Sequence, residues 1–256
     1  MRKLLFVLIL FCAAVFAGEP FYFVQISDTH FGDGDNAARS RAVVAAVNAL
    51  PMKIEFVAVS GDMMHAGNFS PAALSEAKEV FGTLNMPVHF VPGNHDLRTT
   101  NLAERAAAFT NSFSPLLYSK EYGGVEFVFV CTEPLTGKGV IDGFDPLNEF
   151  EQLLQSAPEM PRVVIHHTPS VDDFFEGQVF AGWGKTAAGK RWVELLNDYQ
   201  VKGVLAGHFH RDEFHWLGGV PLYVCPPVSG WLNRQAAFRI FKYCDGQLSY
   251  RTQYVD

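Results

Sequence analysis

The chain has 256 residues, 48% of them hydrophobic, with no low-complexity tract and no internal repeat; this excludes disordered and fibrous classes and allows a substantial core. Its 20 basic and 27 acidic residues leave a net charge of −7 without any Lys/Arg cluster, so the electrostatic footprint of a nucleic-acid polymer binder is missing. A small phosphorylated ligand remains open, because a bound cation reverses the local field.

The chain begins with Met1-Arg2-Lys3, an apolar run over residues 4–15 and the small-residue stretch Ala17-Gly18. This is the pattern of a secretory signal peptide. Residues 1–17 are therefore expected to be removed, leaving residues 18–256 as a single secreted or periplasmic domain. No stable membrane anchor is expected, since the apolar run is short for a bilayer span. Loss of Arg2 and Lys3 leaves 18 basic residues against 27 acidic, a net of −9. Cys131, Cys225 and Cys244 form an odd set that allows at most one disulfide, and no zinc-type cysteine pair is present.

"FYFVQI" (residues 21–26) predicts a strand, followed by Ser27-Asp28-Thr29-His30, and residues 37–50 carry helical spacing. "IEFVAV" (54–59) predicts a second strand, ending at Ser60-Gly61-Asp62. Ser70 and Pro71 stand as N-cap and first helical residue of a helix running to about residue 84. The run 86–91 predicts a strand entering Gly93-Asn94-His95-Asp96. A helix is expected over 102–113, a strand over 125–130, a loop over 137–146 and a short helix over 147–154. The strand at 162–165 ends in His166-His167; a helix at 187–199 precedes the strand at 201–206, which ends in Gly207-His208-Phe209-His210. Short strands with Gly/Pro turns then run to the C-terminus as a β-meander. An α/β first half joined to that meander predicts an α/β fold with two sheets face to face and helices outside.

Five strand ends carry the same kind of residue: Asp28-x-His30, Gly61-Asp62, Gly93-Asn94-His95-Asp96, His166-His167 and Gly207-His208-x-His210. The carboxyl ends of strands in an open α/β sheet converge on one crevice. Oxygen and imidazole donors without thiolate suit Mn, Fe, Zn or a similar divalent ion. On extended chain the Asp-x-His and His-x-His spacings point both side chains to one side, so each pair is expected to chelate. Burying so many polar groups without a cation would be costly.

These five blocks, in this order, resemble the signature of the calcineurin-like metallophosphoesterases over about residue 21 to the end. The resemblance implies a four-layer α-β-β-α sandwich with two mixed β-sheets and two divalent metal ions. It implies Asp28, His30 and His210 at the first metal, Asn94, His166 and His208 at the second, and Asp62 bridging both; His167, two residues before Pro169, is the alternative to His166. It also implies an activated water as nucleophile, His95 as the catalytic residue at the phosphoryl group, and Asp96 orienting the turn.

Gly61-Asp62-Met63-Met64-His65 lacks the tyrosine of purple acid phosphatases, and His65-Ala66-Gly67 stands where calcineurin-type protein phosphatases carry Asp-Arg-Gly. The remaining resemblance is to the compact branch related to cyclic-nucleotide and glycerophosphodiester phosphodiesterases. The expected activity is hydrolysis of a small phosphodiester, with a broad phosphomonoesterase and a non-catalytic scaffold as alternatives. The aromatic stretch 171–183 is expected either to wall the substrate pocket or to pack locally, and His65 either to meet His95 or substrate or to sit at the rim.

Overall fold

Runs of β-branched and aromatic residues form two sheets that share an apolar interior. The computed structural model describes residues 19–65, 69–98, 101–137, 139–172 and 183–255, so residues 1–17 lie outside them. The first sheet is built from β1 (Phe21–Ile26), β2 (Ile54–Ser60), β3 (Val88–Val91), β10 (Ala236–Cys244) and β11 (Gln247–Val255), in the order β11-β10-β1-β2-β3. The second contains β4 (Leu117–Tyr122), β5 (Val125–Val130), β6 (Arg162–Ile165), β7 (Val201–Ala206), β8 (Glu213–Leu217) and β9 (Val220–Val224), in the order β4-β5-β6-β7-β9-β8. Strands β1-β2-β3 and β5-β6-β7-β9 run parallel, while β10, β11, β4 and β8 pair antiparallel, so both sheets are mixed.

Phe23, Phe56, Phe127, Phe129, Ile165, Leu205 and Phe241 fill the space between the sheets. On the outer face of the first sheet, α1 (Asn36–Asn48) and α2 (Pro71–Phe81) bury Val43, Val47, Ala77 and Val80 against Val24, Ile26, Val57 and Val59. On the outer face of the second, α4 (Pro146–Ser156) and α5 (Ala187–Asp198) bury Phe150, Trp192 and Leu195 against Val128, Val164 and Val204. The result is the four-layer α-β-β-α sandwich. α3 (Leu102–Ser112) buries Phe109 in the outer core of the first sheet and Ala106 against Leu97, Cys131 and Ile141. Ser70, Asp145 and Thr186 cap α2, α4 and α5, each accepting a backbone N–H three residues on.

Two features differ from the sequence reading. β4, "LYSKEY", escapes a periodicity search because it is a half-exposed, polar edge strand, held to β5 by a tight Gly123-Gly124 turn. The C-terminal strands do not form one meander. β8 and β9 complete the second sheet, whereas β10 crosses to pair with β1 and draws β11 with it. Cys131, Cys225 and Cys244 are unbridged. No helix among the described residues is long and apolar enough to cross a membrane.

Candidate metal centre

The loops that leave β1, β2, β3, β6 and β7 meet at one end of the sandwich, stitched together by backbone bonds. Asp28 N donates to Gly61 O at 3.0 Å and His30 N to Asp62 O at 3.0 Å, laying the first loop along the second. Gly207 N donates to His167 O at 3.0 Å, and Ser229 N to Asp28 O at 3.0 Å. Asp28, His30, Asp62, His208 and His210 all have φ between 46° and 71°, a left-handed conformation that residues with a Cβ rarely adopt. Such strain gathers at functional sites and persists where the surroundings over-determine it. It also corrects the extended-chain argument for the Asp-x-His and His-x-His pairs: these side chains are aimed by left-handed turns, not by strand alternation.

Among the described residues two fully buried groups of three potential ligands result, Asp28, His30 and His210, and Asp62, His167 and His208; His30 also stands in a third, partly exposed group with His65 and His95. Asp28 Oδ1 lies 3.2 Å from His210 Nε2 and 3.9 Å from His30 Nε2. Asp62 Oδ2 lies 3.1 Å from His167 Nε2 and 3.9 Å from His30 Nε2, so one carboxylate oxygen faces both groups. The His208-x-His210 pair is divided between the groups rather than chelating together. Asn94 sits in the turn whose next residue, His95, donates its backbone N–H to Asp62 Oδ1 at 2.7 Å; the Asn94 Oδ1 is buried and accepts no hydrogen bond. A buried amide oxygen without a donor, beside carboxylates and imidazoles, fits a hard or borderline divalent cation.

His166, expected in this cluster, is not brought to it; its alternative, His167, stands there instead. Along β6, Val163 and Ile165 face the inter-sheet core and Val164 faces α5. Side chains alternate along a strand, so His167 continues the first parity and His166 the second. The His166 ring packs at 5.5 Å from the Trp192 ring and 6.1 Å from Trp183, with Nδ1 3.3 Å from Thr132 Oγ1. Burial and the neighbouring His167 push its pKa down to about 3, so it is a neutral core residue. His167 Nδ1 instead donates to Ser60 O at 2.8 Å, which turns Nε2 to the cluster.

Electrostatics follow from packing acids among imidazoles. Burial raises the Asp28 pKa, but His210 and His167 outweigh it and hold the carboxyl far below its ordinary range. The same opposition, with His167 and His95 prevailing over burial, keeps Asp62 ionised. On His167 burial disfavours the charge, yet Asp62 and Asp28 lift the pKa to about 10; on His30 burial wins and lowers it to about 4. A cation held at His167 Nε2 would take the place of a proton there. Asp96 does orient the turn: its oxygens accept from Gly93 N at 2.8 Å, Met64 N at 2.8 Å and Met63 N at 3.2 Å.

Glycines make room for this. A Cβ on Gly61 would stand 2.5 Å from the His167 ring, and one on Gly93 would run into the Asp62 carboxylate and lie 2.5 Å from its backbone nitrogen. Gly93→Ala is expected to displace Asp62 and weaken metal retention by at least about tenfold, the scale of a misplaced ligand shell. Metal content after dialysis against buffered divalent cation measures it.

The His95 ring lies 4.7 Å from His30 at the rim of the cluster, with its pKa lowered by burial. Beside Asn94 a cleft of about 170 Å³ opens between Leu97, Arg98, Leu102, Glu133 and Pro134. His65 is 36% exposed, its ring 6.1 Å from His95 and 6.2 Å from His30. Of the expected aromatic wall at 171–183, residues 173–182 lie outside the described residues, and Trp183 is buried with Nε1 donating to Thr168 O at 2.8 Å. The sequence reading missed a different aromatic. Trp231, 46% exposed, stands edge to face with His210 at 5.0 Å and lies 6.1 Å from both His30 and His95.

A family model described as calcineurin-like phosphoesterase matches residues 21–212. A mouse (Mus musculus) protein named serine/threonine-protein phosphatase CPPED1 is 26% identical over 223 residues, covering 75% of this chain and 70% of its own. A Rhodopseudomonas palustris protein named "Probable cyclic nucleotide phosphodiesterase" is 26% identical over 226 residues, 79% of this chain and 76% of its own. Among solved structures, a dimetal phosphatase from Danio rerio superposes with a TM-score of 0.64 at 15% identity, over 92% of this chain and 99% of that one.

Proposed function

The chain belongs to the calcineurin-like phosphoesterases, and from that premise we propose that it hydrolyses small phosphodiesters using two divalent cations. The observation that carries this is the meeting of two three-residue ligand groups at the single Asp62 carboxylate. Asp28, His30 and His210 would hold one cation, His167, His208 and Asn94 the other, with Asp62 shared. When bound, such a pair acidifies water to a nucleophile near neutral pH and neutralises charge on the phosphoryl oxygens. Asp62 is fixed for its part by the His95 N–H and stays ionised. His95, half-buried at the rim 4.7 Å from the His30 ring, would donate its ring N–H toward a phosphoryl or leaving oxygen.

Preference for a diester is supported by room on two flanks, the cleft beside Asn94 and the open surface at Trp231, and by the lack of the Asp-Arg-Gly sequence of calcineurin-type phosphatases. The CPPED1 relatives, named as phosphatases, favour the second reading, a phosphomonoesterase. Retention of every ligand block speaks against a non-catalytic scaffold. We also propose export, on the sequence of residues 1–17 alone; the N-terminal residue of the protein recovered from its native host tests it.

Chelator-stripped protein given Mn is expected to cleave bis(p-nitrophenyl) phosphate with a higher kcat/KM than p-nitrophenyl phosphate. Monoester preference would select the second reading. No turnover of either ester with two cations bound would overturn both.

A further inference from the structure

We infer that Trp231 is a stacking shelf for the organic group of the substrate, so that the ester taken by this site carries a flat, π-faced alcohol such as an aryl or nucleoside group. The inference rests on the phosphoesterase reading and adds a substrate class to it.

The shelf is built and held. Trp231 opens a one-turn segment (Trp231–Asn233) between β9 and β10, in which Leu232 and Asn233 both take left-handed φ, 57° and 56°. Arg39 of α1 clasps the segment from both sides, Nε donating to Val228 O at 2.8 Å and a terminal nitrogen to Arg234 O at 2.5 Å. Asn36 ties it to the metal centre: its Oδ1 accepts from Gly230 N at 3.0 Å while its Nδ2 donates to His30 O at 3.1 Å. The indole therefore keeps a fixed place relative to His30 and His210.

Its exposure needs an explanation. A tryptophan whose only task was to shield His210 would gain by burying its outer surface, yet Trp231 is 46% exposed and Leu232 beside it 45%. Exposed apolar surface held by strained backbone at the edge of a polar crevice is the arrangement expected of a ligand wall. An indole gives a planar ring stacking energy that a small alkyl or polyol group does not collect, and this preference is tolerant of base identity. Trp231 also lies within 6.1 Å of His95, the residue proposed to meet the leaving oxygen, so the group it stacks is assigned to the departing alcohol.

The test separates this from the reading it rests on. Mn-loaded protein is titrated calorimetrically with inorganic phosphate, methylphosphonate and phenylphosphonate. Phosphate is expected to bind, and phenylphosphonate to bind about tenfold more tightly than methylphosphonate, the scale of one stacked ring. Trp231→Ala is expected to bring the phenyl-to-methyl ratio to within about twofold of unity while phosphate affinity and Mn content hold; Trp231→Phe should keep about threefold. Equal binding of the two phosphonates by the unaltered protein overturns the shelf, as does a ratio that survives Trp231→Ala. A variant that loses Mn and weakens all three anions together also overturns it, since the indole then serves only to shield the ligands. Failure of phosphate itself to bind the Mn-loaded protein would remove the phosphoesterase reading, and this inference with it.

Discussion

Asp62→Asn is expected to reduce metal-dependent ester cleavage by about 10³-fold or more, the loss that follows when about 4 kcal/mol of charge stabilisation disappears from a two-cation site. The geometry makes the substitution severe although it is isosteric. Asp62 Oδ1 accepts the His95 N–H at 2.7 Å while Oδ2 faces His167 and His30. An asparagine has one acceptor oxygen, so it either keeps the turn after β3 in place or faces the cations, and presents an NH₂ at the other position. It also removes the charge that makes a shared ligand worth having. The check has two readouts. Divalent cation at about 100 times its dissociation constant should stabilise the unaltered protein by about 2.7 kcal/mol, raising Tm by about 5–10 °C in a chain of this size. The variant should unfold in chelator close to where the unaltered protein does, and gain much less on adding Mn. A variant that binds both cations and turns over normally would show that Asp62 does not bridge.

Much of the ligand set was legible because strands that end in polar residues advertise themselves. Burial of Asp28, His30, Asp62, His208 and His210 among apolar strands leaves few reasons for their presence other than a charged ligand. The layer order was legible too, since β1, β2 and β3 alternate with helices and each helix exposes one polar face. What stayed hidden depends on phase and on distance. β6, "RVVI", is buried on both faces, Arg162 included, so no alternation of polar and apolar residues marks which parity faces the crevice. The choice between two adjacent histidines is then a choice between faces that the strand's own sequence does not record. Trp231 was missed for the opposite reason: it lies in a short turn after β9, near no motif in sequence, and reaches the centre only because β10 crosses back to pair with β1. Nor does an Asp-x-His spacing disclose that both residues are left-handed. That conformation is imposed by hydrogen bonds to the neighbouring loop at Gly61 and Asp62.

The paired substitutions His166→Gln and His167→Gln test the assignment on which the second cation depends, and they are expected to part completely. His167→Gln should lower metal content from two toward one per chain and cleavage by about 10²-fold or more, since a displaced ligand at a charge-stabilising centre forfeits about 3 kcal/mol. Its effect on the folding of the Mn-loaded protein should be smaller, because the glutamine NH₂ still donates to the Ser60 carbonyl and Asp62 keeps its hydrogen bond from the His95 N–H. His166→Gln should do the reverse. Its ring is wedged against Trp192 and Trp183 with no access to the cluster, so losing the imidazole leaves a poorly filled, partly polar hole behind α5. A core truncation of that kind costs about 2–4 kcal/mol, or about 5–15 °C in Tm here, while metal content and cleavage per folded molecule stay within about threefold. Metal analysis, kcat/KM and thermal unfolding on the same preparations decide it. If His166→Gln empties a metal position and His167→Gln does not, the parity argument along β6 is wrong.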